Sequence, residues 1–129
     1  SISASFDMSL PDEERLGHLQ KVYFAPGAEA SVWLDGWWPK VSAAQRHAAQ
    51  QTPDKDWIRV ADRHPTLYLG AADDVISPPP NLAALRETIG PKADSVVVQN
   101  AGHALLPEQP EAVAQALLEW VASLSPKRP

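Results

Sequence analysis

Residues 66–70 read Thr-Leu-Tyr-Leu-Gly, and residues 95–99 read Ser-Val-Val-Val-Gln. Each is a short apolar run closed by turn residues, Pro65 and Gly70 around the first and Asn100-Ala101-Gly102 after the second. Runs of this length and β-branched content are those of buried strands. Between them Leu82, Leu85 and Ile89 fall at helical spacing, and Gly90-Pro91 stops that helix. After the second run a helix opening near Pro110-Glu111 places Val113, Leu117, Trp120 and Leu124 on one face. Strand–helix–strand–helix predicts an α/β fold, with helices packed on parallel strands. Two parallel strands alone leave both sheet edges open, which is unlike a self-sufficient domain. The expectation is that these strands join a sheet completed by other polypeptide.

Upstream the character differs. Residues 1–9 are small and polar, with Phe6 and Met8 weakly alternating, and read as an extended N-terminal arm. Ser9 and Asp12 form a loose capping box, with Pro11 in the first turn. Leu16, Leu19 and Tyr23 then mark a helix that ends by Pro26-Gly27. Three tryptophans, Trp33, Trp37 and Trp38, lie in residues 31–38. Pro39 opens a helix running to about Gln51, with Val41, Ala44 and Ala48 on one face, and Thr52-Pro53 breaks it. Trp57 and Ile58 fall in a short helix or turn. Residues 10–64 thus form a helical, aromatic-rich unit, residues 65–124 an α/β unit, and residues 125–129 a frayed tail.

Composition narrows the function classes. The chain has 129 residues, 44% hydrophobic and 21% charged, as a folded protein does. A net charge of -5 argues against nucleic acid or an anionic membrane as partner. Without cysteine there is no disulfide, thiolate metal site or Cys nucleophile. The four histidines make no paired metal-ligand motif. No apolar run approaches a membrane span, and no leader is visible, which points weakly to the cytoplasm.

Parallel sheets place functional groups in loops at the carboxyl ends of their strands. The loop after the first strand carries Asp73 and Asp74; the loop after the second carries His103. A carboxylate that orients a histidine, itself a general base, is two-thirds of a nucleophile–His–acid triad. His18, His47 and His64 lie in polar contexts and read as surface residues.

Leu67-Tyr-Leu-Gly-Ala-Ala-Asp-Asp-Val-Ile-Ser-Pro-Pro79, followed by Asn100-Ala-Gly-His-Ala-Leu-Leu-Pro-Glu-Gln-Pro-Glu-Ala-Val113, resembles the C-terminal half of an α/β-hydrolase. The resemblance covers residues 65–122 and implies a triad acid in the Asp loop and a triad base at His103. Asp73 stands three residues after Gly70 and Asp74 four before Pro78; the proline spacing favours Asp74, with Asp73 the second choice. The resemblance also implies that residues 10–64 are a cap. Its Trp33, Trp37 and Trp38 then either pack on the core or line a pocket for a small apolar substrate. It implies an ester-type hydrolysis that needs no cofactor or metal.

No Gly-x-Ser-x-Gly elbow occurs in the chain, so the nucleophile and oxyanion hole are expected on a partner, the N-terminal chain of the same precursor. A chain opening on Ser at the cap boundary reads as a cleavage product. Ser1 is a candidate for autocleavage, because its hydroxyl can attack the preceding carbonyl; ordinary proteolysis is the other reading. The alternative function is a non-catalytic ligand-binding or scaffold relative whose partner carries a degenerate elbow.

Overall fold

The computed structural model describes residues 1–35, 38–53 and 63–124. Helix α1 spans Ile2–Ser5 and α2 spans Asp12–Tyr23; a 3-10 turn follows at Ala30–Trp33, then α3 at Pro39–Gln51. Strand β1 (Thr66–Ala71), helix α4 (Pro80–Ile89) and strand β2 (Ala93–Val98) come next. A single turn, α5 (Leu105–Glu108), leads into α6 (Pro110–Leu124).

β1 and β2 pair in parallel, from Thr66 opposite Ala93 to Ala71 opposite Val98, with α4 as the crossover. Gly90, at φ 89°, lets the chain leave α4 in a conformation that a side chain would resist. Gly70 has its own reason: a Cβ there would overlap the Leu82 side chain of α4, so the helix lies close on the strand. The expected α/β order is present. Its burial is not what two covered faces would give, since Val96 and Val97 each remain 38% exposed. With two strands among the described residues, the sheet is too narrow to be enclosed. The same narrowness leaves the α6 face partly uncovered. Val113 is buried and Trp120 half-buried, its Nε1 donating to Asp94, whereas Leu117 and Leu124 stay exposed.

The N-terminal arm is not extended. Ser1 caps one helical turn, its Oγ accepting from the Ala4 amide at 3.3 Å, and Ser5 is buried with its Oγ on the Ser1 carbonyl. Nor does the capping box form: the Ser9 hydroxyl donates to Asp7 at 2.6 Å, and Pro11 occupies the cap position of α2. Three acids, Asp12, Glu13 and Glu14, complement the amino end of that helix instead.

Leu19, Tyr23, Phe24, Ala30 and Ala104 form one buried cluster, with Phe6, Trp33, Leu34 and Ile76 packed on it. This cluster joins the N-terminal helical region to both loops beyond the strands, since Ile76 follows the aspartates and Ala104 follows the histidine. Buried Arg15 straps α2 to the end of the 3-10 turn, donating to the Leu34 carbonyl at 2.8 Å and to Asp12 at 3.1 Å. By contrast α3 buries no side chain, and its Val41–Ala44–Ala48 face is open. Trp57 and Ile58 and the tail 125–129 lie outside the described residues. No helix among the described residues is long and apolar enough to cross a membrane.

Candidate active site

The pairing of β1 and β2 continues beyond the strands. The Ala72 amide donates to Val98 O and the Asp73 amide to Ala101 O, both at 2.9 Å. These bonds fasten the acid loop to the histidine loop and bring Asp74 onto His103. His103 Nδ1 lies 2.9 Å from Asp74 Oδ2. The other carboxylate oxygen, Oδ1, accepts the amides of Ile76 at 2.8 Å and Ser77 at 2.9 Å. That fold-back is the usual habit of an aspartate opening a turn.

Asp74 is only 9% exposed, and its burial opposes ionisation. The Ser77 amide, the His103 hydrogen bond, the Ile76 amide and the charge of the imidazole together outweigh that, holding the carboxyl below its ordinary value. An ionised carboxylate only accepts, so Nδ1 of His103 carries the proton and donates it. Nε2 is then the nitrogen left to exchange a proton with a reactant. The His103 side chain is 39% exposed, accessible to one. Asp73 is exposed and its carboxylate is not the one on the imidazole.

The pair opens on a cavity of about 270 Å³ lined also by Gly70, Ser77, Leu82 and Leu105. Tyr23 closes another side, its ring centroid 5.7 Å from that of His103. Burial pushes the Tyr23 hydroxyl pKa up, keeping it neutral.

Trp33 and Trp38 do not line this cavity. Trp33 packs on Tyr23 at 5.5 Å and Phe24 at 5.2 Å within the cluster around Leu19. Trp38 is 71% exposed and lines a separate cleft with Phe6, Arg46 and His47. Trp37 is outside the described residues. Ser1 caps α1, its amine 3.1 Å from His18 Nδ1. Among the described residues no group of three or more His, Asp or Glu could hold a metal ion.

Two further residues shape the site. Gly102 adjoins the histidine where the backbone of residues 23–25 passes: a Cβ there would stand 2.7 Å from Tyr23 O, Phe24 C and Ala25 N. Glu108 accepts the Gly102 amide at 2.8 Å and the Ala25 amide at 2.6 Å. Its sequence signal was slight, an acid between Pro107 and Pro110 just after the histidine loop.

An acid beyond one parallel strand and its histidine beyond the next, each on a short loop, define the C-terminal part of an α/β-hydrolase fold. Residues 30–129 match the model of the α/β-hydrolase family described as TAP-like protein, and the chain belongs to that family. The match reaches further toward the amino terminus than the motif-bearing residues. A solved structure, titled as structural studies of a thermophilic esterase from Thermogutta terrifontis with malate bound, is 46% identical to this chain. It aligns over 46% of this chain and 21% of its own length, with a TM-score of 0.43. The chain thus spans a small part of that protein. A search of curated proteins gave no match.

Proposed function

We propose that this chain is the acid- and base-bearing part of an α/β-hydrolase that cleaves an ester-like bond in a small apolar substrate. The observation that carries this reading is the 2.9 Å contact between His103 Nδ1 and buried Asp74, whose other oxygen accepts the Ile76 and Ser77 amides. His103 Nε2 takes the proton of a nucleophile as it attacks the carbonyl and later returns it to the leaving group. Asp74 holds the working tautomer and stabilises the imidazolium formed in between. The nucleophile and oxyanion donors come from polypeptide outside these 129 residues, because no Gly-x-Ser-x-Gly elbow lies within them. The open sheet edges are where further strands would pair, and the exposed Val96 and Val97 mark faces that further helices would cover. Trp37 and Trp38 remain proposed substrate contacts, and Trp33 acts by packing.

A serine-directed organophosphonate tests this on the complete protein. Covalent labelling of an elbow serine, with loss of ester hydrolysis, is the expected result. A complete protein with no labelling and an elbow that lacks a nucleophile would instead be the binding or scaffold relative.

A further inference from the structure

Glu108 lies at the end of α5 and bonds to neither Asp74 nor His103 among the described residues. Its carboxylate bridges two stretches of backbone that are far apart in sequence. Oε2 accepts from Gly102, immediately before His103, and Oε1 accepts from Ala25, 83 positions away. On the other side of His103 the Ala104 amide donates to the Tyr23 carbonyl at 2.7 Å. The histidine is therefore held on both flanks by residues 23–25, once directly and once through Glu108. Gly102 allows this approach because it has no Cβ to strike that backbone. The Tyr23 ring then rests against the imidazole.

We propose that Glu108 is a positioning residue for His103, and that it does so by latching the histidine loop to the end of α2. This rests on the reading of His103 as general base. A carboxylate suits the role because both its oxygens accept. An amide of the same shape does not, since its NH2 would face one of the two backbone N–H groups. Glu108→Gln therefore breaks one arm of the latch and leaves a donor facing a donor. With that arm lost, the loop is held to residues 23–25 by the Ala104–Tyr23 bond and the remaining arm alone, and the imidazole moves more freely against Asp74 and Tyr23.

The test uses the complete protein, compared with Glu108→Gln. Two readouts are taken: the imidazole Nδ1–H resonance of His103 by NMR, and kcat and KM for an aryl ester. The expected result is an Nδ1–H signal broadened by exchange, kcat reduced by about 10- to 100-fold, and KM within about twofold, the mark of a misplaced catalytic group. In a His103→Ala background the same substitution should change the residual rate by less than about twofold, because the residue it acts through is gone. A sharp Nδ1–H signal with unchanged kcat overturns the proposal. So does a rise in KM alone, or a further tenfold loss in the His103→Ala background. Should Glu108→Gln fail to fold, amide exchange in the unaltered protein decides: Ala25 and Gly102 should be protected at least about 100-fold. Rapid exchange at either overturns the latch. If the unaltered protein hydrolyses no ester, the hydrolase reading fails, while the resonance and the exchange rates still judge Glu108.

Discussion

Asp74 divides its two oxygens between tasks: Oδ2 receives His103 Nδ1 at 2.9 Å, while Oδ1 is fixed by the Ile76 and Ser77 amides. The side chain that orients the imidazole is thus itself oriented by its own loop. Neighbouring Asp73 has no such role and is exposed.

Substitutions should separate the two aspartates. In the complete protein, Asp74→Asn is expected to lower kcat by roughly 10³- to 10⁴-fold, because an amide no longer selects the Nδ1–H tautomer. His103→Ala should cost at least as much without unfolding the protein, as circular dichroism would report. Asp73→Asn should stay within about twofold of the parent. Equal losses at 73 and 74, measured with an ester substrate, would remove Asp74 as the acid.

Acid stability should reveal the same carboxylate. Its folded pKa lies below the ordinary 3.8, so the ionised form favours the folded state. That contribution is complete above the unfolded value and disappears as pH falls through the folded one. The stability gap between parent and Asp74→Asn, from denaturant unfolding, should be widest above about pH 5 and narrow toward about pH 2. A gap that is constant over that interval would contradict the assigned ionisation.

Two glycines make contrasting demands. Gly102→Ala drives a Cβ to 2.7 Å from three backbone atoms, which cannot turn aside. A loss of about 2 kcal/mol or more is expected, together with reduced turnover, since the strain falls next to His103. Gly70→Ala meets the movable Leu82 side chain first and should cost less. Thermal unfolding of both variants checks the order, and the reverse order would refute it.

The tryptophans should divide by burial. Trp33→Ala removes a ring packed on Tyr23 and Phe24 and should destabilise by about 3 kcal/mol. Trp38→Ala, at a site 71% exposed, should fall within about 0.5 kcal/mol of the parent. A change in KM at Trp38 without loss of stability would support it as a substrate contact.

What the sequence made legible is what depends on short-range pattern. β1, α4 and β2 are each declared by a run of apolar residues with Pro or Gly at its ends, and α3 begins at its proline. The proline spacing that the resemblance implies favours Asp74 over Asp73, and the structure puts Asp74, not Asp73, on the imidazole. Other features depend on contacts that leave no local trace. Ser1 makes a one-turn helix out of an apparent arm, and Asp7 diverts Ser9 from capping α2. Leu117 and Leu124 satisfy the helical period yet stay exposed, because periodicity does not count the strands available to cover them. Glu108 was hardest to see, as its distant partner is the amide of an alanine, a group that every residue but proline carries.

The bonds from Ala72 to Val98 and from Asp73 to Ala101 have a consequence for assembly. They carry the zipper of the sheet out through both loops, so the geometry of Asp74 and His103 is written wholly inside this chain. In the hydrolase proposed above, the residues that supply the nucleophile would meet an acid and a base already paired. One alignment, hydroxyl to Nε2, would then be left to achieve, and the problem of arranging three groups would reduce to that of seating one.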